Sequence, residues 1–124
     1  MAVMSYATVG SNRLEGAKAF YDALLGGVGM TPMFEHPSGG RVYGREGTIN
    51  FAVLGPFDRA PATVGNGAMF AFGCDTRAEV DAFHAHALQL GGTDEGAPGA
   101  RGPDWYFCYV RDLDGNKLCA FCMG

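Results

Sequence analysis

The stretch VGSNRLEGAKAFYDALLGGVG (9–29) lies over FGCDTRAEVDAFHAHALQLGG (72–92) without a gap, at a shift of 63 residues. Gly10 then meets Gly73, Ala19 meets Ala82, Phe20 meets Phe83, Leu25 meets Leu88 and Gly29 meets Gly92. Asn12 and Asp75, both suited to a helix start, coincide as well. Identity between the copies is modest, but large and small apolar positions agree. That agreement is the mark of one supersecondary unit used twice.

Each copy opens with a short apolar segment, YATV (6–9) or MFAF (69–72), and then turns into a helix. Asn12 with Glu15 predicts the first helix start, and Thr76 with Glu79 fits a capping box at the second. Leu14, Ala17, Tyr21 and Leu24 share a face of the first helix; Val80, Phe83 and Ala87 share one of the second. Gly26-Gly27 and Gly91-Gly92 predict left-handed C-caps. Strands are predicted over 31–36, 41–45 and 48–54, and over 92–96, 105–111 and 117–123, with Asp114-Gly115-Asn116 as the last hairpin turn. Each half is thus β-α-β-β-β. The Pro- and Gly-rich PFDRAPATVGNG (56–67) links module 1 (about 4–55) to module 2 (about 68–124) in a single domain over 1–124. One helix covers only one face of a sheet. The predicted fold class is therefore α+β: two tandem βαβββ modules forming a curved, partly closed mixed sheet around a cleft, with helices outside.

Composition narrows the function. Hydrophobic residues make up 48% and charged residues 18% of the 124, enough apolar material for a packed core. The net charge is −4 and no basic block occurs, so the electrostatic footprint of a nucleic-acid binder is missing. No apolar run is long enough to span a membrane, and MAVMSYATVG lacks the features of a signal peptide. Cys74, Cys108, Cys119 and Cys122 are then expected to be reduced thiols of a cytoplasmic protein. Cys119 and Cys122 have C-x-x-C spacing, but residues three apart on a strand point to opposite faces. They read as small core residues rather than as a redox or zinc pair.

Through YATVGSNRLEGAKAFYDALLG at the start, PATVGNGAMFAF in the middle and RDLDGNKLCAF near the end, the chain resembles the vicinal oxygen chelate superfamily. That superfamily includes glyoxalase I, bleomycin-resistance proteins and extradiol dioxygenases. The resemblance covers essentially the whole chain. In metal-dependent members it implies a divalent ion held by histidines and glutamates from the first and last strands of both halves. Carried over residue by residue, these positions fall on Tyr6, Phe51, Met69 and Cys119. Cys119 follows D-G-N-K-Leu, where a glutamate is usual, and Phe51 is set opposite it by aligning GTINFAVLG on GNKLCAFCM. Phe51 cannot ligate, Met69 is a soft, weak donor and neutral Tyr6 a poor one, so neither metal nor cofactor is expected. His84 and His86 lie two apart on a helix and do not face one ion; they are expected at its solvated side or boundary. His36, in EHPSGG, is expected in a surface turn, with a cleft contact as the alternative.

Strand alternation with Cys119 inward also turns Phe121 inward and sets Leu118, Ala120 and Cys122 against the helix. Tyr109 then lies opposite Cys119, with Phe107 and Trp105 on the same face, while Ile49 and Val53 flank Phe51. The candidate ligand-binding set is Tyr6, Thr8, Phe51, Met69, Trp105, Phe107, Tyr109, Cys119, Phe121 and Arg101. Arg101 belongs to DEGAPGARGPD (94–104), expected as a loop over the cleft; Arg41 and Arg45 are other candidate charges. Such a lining suits a small hydrophobic molecule held without metal, as in a bleomycin-resistance-like binding protein. A cleft filled by its own side chains is the alternative packing. The alternative function is a glyoxalase-related lyase or isomerase, either metal-dependent through other ligands or metal-independent with Tyr6 or Cys119 as catalytic residue. A nucleophilic Cys119 needs a lowered pKa, and its predicted neighbours are apolar. A homodimer is expected, because open sheets leave edges and apolar surface to cover. The expected partner is an unidentified small molecule.

Overall fold

The structure is a computed structural model describing residues 1–124, and it divides into two units, Met1–Val64 and Gly65–Gly124. Module 1 contains β1 (Ala7–Gly10), α1 (Leu14–Gly26), β2 (Thr31–Glu35), β3 (Arg41–Arg45) and β4 (Thr48–Leu54), with sheet order β1-β4-β3-β2. Module 2 contains β5 (Phe70–Gly73), α2 (Arg77–Gln89), β6 (Thr93–Ala100), β7 (Trp105–Arg111) and β8 (Lys117–Met123), in the order β5-β8-β7-β6. In each module the first strand runs parallel to the last and the other pairs are antiparallel, so both sheets are mixed and open. The tandem βαβββ reading holds.

Each helix buries the face its apolar spacing marks. Ala17, Phe20, Tyr21, Leu24 and Leu25 are buried on α1; Val80, Phe83 and Ala87 on α2. The Tyr21 ring lies 5.0 Å from Phe51 of β4 and 6.3 Å from Tyr43 of β3. The Tyr43 hydroxyl donates to Asp22 at 2.8 Å, tying β3 to the helix at a polar point. In module 2, Cys108 faces α2, its thiol donating to the Val80 carbonyl at 3.7 Å. Ala120 pairs with Cys108 and shares that face, with Leu118 and Cys122 two residues to either side.

The two helix starts differ. At α2, Thr76 Oγ1 accepts the Glu79 N–H at 3.2 Å, and Glu79 Oε1 accepts the Asp75 N–H at 3.1 Å. This is the expected capping box, reaching one residue further back. Helix α1 starts after Arg13 with no side-chain cap, so Asn12 does not play the expected part. Its amide instead grips the linker: Nδ2 donates to the Ala62 carbonyl at 2.9 Å and Oδ1 accepts the Ala62 N–H at 2.7 Å. Asn12→Ala removes both bonds and is expected to cost about 1–2 kcal/mol. Urea unfolding checks the energy, and faster proteolytic cleavage within 57–61 checks the mechanism. The helix ends differ too. Gly91 takes the left-handed turn after α2 (φ +100°), whereas Gly27 is still right-handed (φ −68°) and the left-handed residue after α1 is Gly29 (φ +86°).

Strand β6 runs to Ala100, beyond the expected end at 96. Register shifts around Gly96 and Gly99 let the Gly- and Pro-rich segment stay paired with Tyr109 and Phe107. The Arg101 N–H then donates to the Trp105 carbonyl at 2.7 Å and closes the hairpin. Residues 94–104 are therefore strand and tight turn, not the predicted loop over a cleft.

Candidate functional site

The repeat can be checked against strand register. In module 1, Ala7 pairs with Phe51 and Thr8 with Ala52. In module 2, Phe70 pairs with Leu118 and Ala71 with Cys119. At the shift of 63, Ala7 matches Phe70 and Thr8 matches Ala71. Phe51 therefore corresponds to Leu118, and the counterpart of Cys119 is Ala52. This corrects the candidate set. Phe51 is 2% exposed and packs under α1 against Tyr21, with Val53 on the same side of the strand. The cause lies in the turn. β3 and β4 are joined by Glu46-Gly47, both at positive φ (+53° and +79°), a two-residue hairpin followed by a register shift between Tyr43 and Gly44. The β7–β8 turn is longer and is organised by Asp112, whose Oδ1 accepts the N–H groups of Asp114 and Asn116. A gapless alignment through turns of unequal length slips by one residue and exchanges the two faces.

The remaining metal positions fall as follows. Tyr6 precedes β1 and is 56% exposed; Met69 precedes β5 and is 42% exposed. Thr8 is exposed on β1. Cys119 is fully buried (0% exposed), and burial is the main force that lifts its thiol to about 12, with Cys108 and Cys74 adding to it. A phenol, a methyl group, a thioether and a neutral thiol do not fit a divalent ion that prefers imidazole and carboxylate. No group of three or more His, Cys, Asp or Glu suited to a metal is gathered in the chain. The raised thiol also makes Cys119 a poor nucleophile.

On module 2 the predicted aromatic residues come together. Trp105, Phe107 and Tyr109 alternate along β7 on the face turned away from α2, and Phe121 of β8 pairs with Phe107. Ring centroids are 5.6 Å apart for Trp105–Phe107, 6.0 Å for Phe107–Tyr109 and 5.4 Å for Phe107–Phe121. Interplanar angles in these pairs are 25°, 11° and 18°, so the four rings form a near-parallel patch. Trp105 is 39% exposed, and Phe107, Tyr109 and Phe121 are half-buried. Cys119 sits opposite Tyr109. Gly96 faces the Tyr109 ring, where a Cβ would stand 2.8 Å from a ring carbon, so the absence of a side chain lets the ring lie across β6. The Arg101 guanidinium lies 5.9 Å from the Tyr109 ring centre and donates to the Ala97 carbonyl at 3.2 Å. Arg41 is engaged elsewhere, in ion pairs with Asp22 and Glu35.

Two features had no clear signal in the sequence. His84 is buried, not solvated: its Nε2 lies 2.8 Å from Asp94 Oδ1, and this hydrogen bond lowers the Asp94 pKa. Its partner comes from the next strand, which helix spacing does not reveal. The other is a groove of about 900 Å³ on module 1, lined by residues including Ser11, Leu14, His36, Ser38, Phe57 and Arg59. His36 is in a turn, as expected; its Nδ1 accepts the Ser38 N–H at 3.1 Å, which places any ring proton of the neutral form on Nε2.

Comparison with known proteins agrees with the architecture. The family model for the Glyoxalase/Bleomycin resistance protein/Dioxygenase superfamily matches residues 4–120, and the chain belongs to that superfamily. A crystal structure of a glyoxalase/bleomycin resistance protein from Albidiferax ferrireducens is 40% identical, with 96% of this chain and 97% of that one covered and a TM-score of 0.87. A glyoxalase/bleomycin resistance protein/dioxygenase family enzyme from Burkholderia phytofirmans is 19% identical over 97% of this chain and 98% of its own (TM-score 0.77). Lactoylglutathione lyase from Agrobacterium tumefaciens is 20% identical over 98% of this chain and 94% of its own (TM-score 0.72). These last two share the fold. No curated protein matches. No helix is long and apolar enough to cross a membrane.

Proposed function

We propose that this member of the superfamily is a binding protein that holds a flat, hydrophobic small molecule on the aromatic face of module 2, without a metal or other cofactor. The observation that carries the reading is the patch of near-parallel rings at Trp105, Phe107, Tyr109 and Phe121, with Trp105 left 39% exposed. Rings held by neighbouring rings offer contact area at little entropic cost. Cys119 contributes a neutral, immobile thiol beneath Tyr109. Met69 stays in the proposed set as an exposed side chain just before β5; Phe51, buried under α1, leaves it. The working unit is a homodimer, because each open sheet ends in two edge strands and module 2 carries an aromatic face.

Two measurements test this. Elemental analysis of protein purified without added metal, with melting scans after incubation with zinc, nickel, manganese and iron, is expected to give substoichiometric metal and an unmoved Tm. One tightly held ion per subunit with a raised Tm overturns the metal-free reading. Trp105 is the only tryptophan, so its emission reports on the face directly. Titration with the neutral flat dye 1-aminoanthracene is expected to change that emission saturably, and Phe121→Ala to weaken binding about tenfold, the loss of one buried ring contact. An emission that does not respond to the dye overturns the proposed face.

A further inference from the structure

At one end of the aromatic patch two cations meet the same ring. Lys117 Nζ lies 5.2 Å from the centre of Tyr109, and the Arg101 guanidinium 5.9 Å from it. Neither has a carboxylate partner. Arg101 bonds only to the carbonyls of Ala97 and Ala100, which leave its charge unneutralised, and Lys117 forms no ion pair. The nearby acid, Glu95, is taken by Arg111, which also donates to the Gly115 carbonyl. By contrast, Lys18 meets Glu15 and Glu35, and Arg41 meets Asp22 and Glu35; Arg77 stands alone over the Tyr106 ring, with the Gly124 carbonyl as its hydrogen-bond acceptor. Acids outnumber Lys and Arg by 13 to 9, so a shortage of carboxylates does not explain two unmatched cations at one ring.

Resting on the binding reading above, we infer that the molecule held on this face is a planar aromatic anion, whose ring lies over Phe107, Phe121 and Trp105 and whose carboxylate or similar group meets Lys117 and Arg101. The Tyr109 ring holds both cations by its π-face, so they are placed before the ligand arrives. Two like charges drawn to one ring repel, and an anion between them relieves that repulsion as well as making its own attractions. Tyr109 is 6.0 Å from Phe107, so an acid group on a ring stacked over Phe107 reaches the cations without a long spacer. A neutral ligand of the same shape gains the stacking alone, and a cationic one is repelled.

Calorimetric titration of the full chain with 2-naphthoate and with its neutral isostere 2-naphthamide tests this. We expect naphthoate to bind at least tenfold more tightly at low salt, with the ratio shrinking as salt screens the exposed cations. Lys117→Met and Arg101→Met should each cut that ratio severalfold, and Lys117→Arg should restore it. The arginine variant guards against a loss caused by misfolding. Equal affinity for the two probes, or a ratio that both methionine variants leave unchanged, overturns the anion assignment while the aromatic binding face stands. Failure of both probes to bind overturns the assignment and the binding face together.

Discussion

Phe51→Ala is expected to lower the stability of the chain by about 3–5 kcal/mol, the range for deleting a buried aromatic ring. The side chain is 2% exposed and its ring lies 5.0 Å from Tyr21. Tyr43 is paired with it across the sheet and is fixed by its hydrogen bond to Asp22. With those neighbours held, the space left by the ring collapses poorly, and the cavity adds to the lost transfer energy. Phe51→Leu keeps most of the volume and should cost less than about 1.5 kcal/mol. Thr8→Ala, on the exposed face of β1, should change stability by no more than about 0.5 kcal/mol. Urea midpoints at an unchanged slope measure all three. A loss below about 1 kcal/mol for Phe51→Ala would return Phe51 to the open face and reinstate its pairing with Cys119 in the repeat.

Stability should also fall steeply at alkaline pH. Burial raises Cys119 from its ordinary 9.0 to about 12 and Cys108 from 9.0 to about 11. The folded values lie above the unfolded one, so the folded state keeps protons that the unfolded chain gives up. This stabilisation is complete below about pH 9 and is lost as pH rises from there toward 11 and 12. One and a half pH units above 9.0 correspond to about 2 kcal/mol per thiol, or about 4 kcal/mol for the pair at pH 10.5. Tyr43 is also raised by burial and by its bond to Asp22, and it adds to the loss at higher pH. Burial raises Cys74 from 9.0 to about 11 as well, so Cys119→Ala should remove about a third of the pH dependence between 9 and 10.5, read as the shift of the urea midpoint. In the folded protein at pH 8, iodoacetamide should label Cys119 far more slowly than in urea. Rapid labelling, or a midpoint in Cys119→Ala that falls as steeply as in the original chain, would reopen a nucleophilic role for Cys119.

Much of the fold was legible because it rests on local rules applied twice. The gapless match of 9–29 to 72–92, the apolar stripes of α1 and α2 and the Thr76–Glu79 cap are short-range features, and each appears where the spacing put it. Readings that depended on a partner distant in sequence fared differently. Asn12 is a good helix-capping residue by type, but Ala62 competes for its amide and wins both hydrogen bonds. His84 looked solvated by helix position, yet Asp94 on the next strand makes its burial tolerable. The aromatic patch was legible because β7 and β8 are joined by one well-marked turn, which sets Tyr109 against Cys119 and Phe107 against Phe121.

The amino-acid sequence by itself determined the doubled βαβββ plan, the helix faces and the aromatic side of β7. Those depend on periods of 3.6 and 2 that any local segment displays. Only the tertiary structure decided that Ala52, not Phe51, is the counterpart of Cys119. Side chains on a strand alternate with a period of two, so a one-residue slip in aligning through the two-residue Glu46-Gly47 turn and the five-residue Asp112–Asn116 turn moves every residue of β4 to the other face. That choice is settled by hydrogen-bond register with a parallel neighbour more than forty residues away. The same holds for Lys117 and Arg101: their shared place at Tyr109 comes from two different strand connections, and no spacing along the chain announces it.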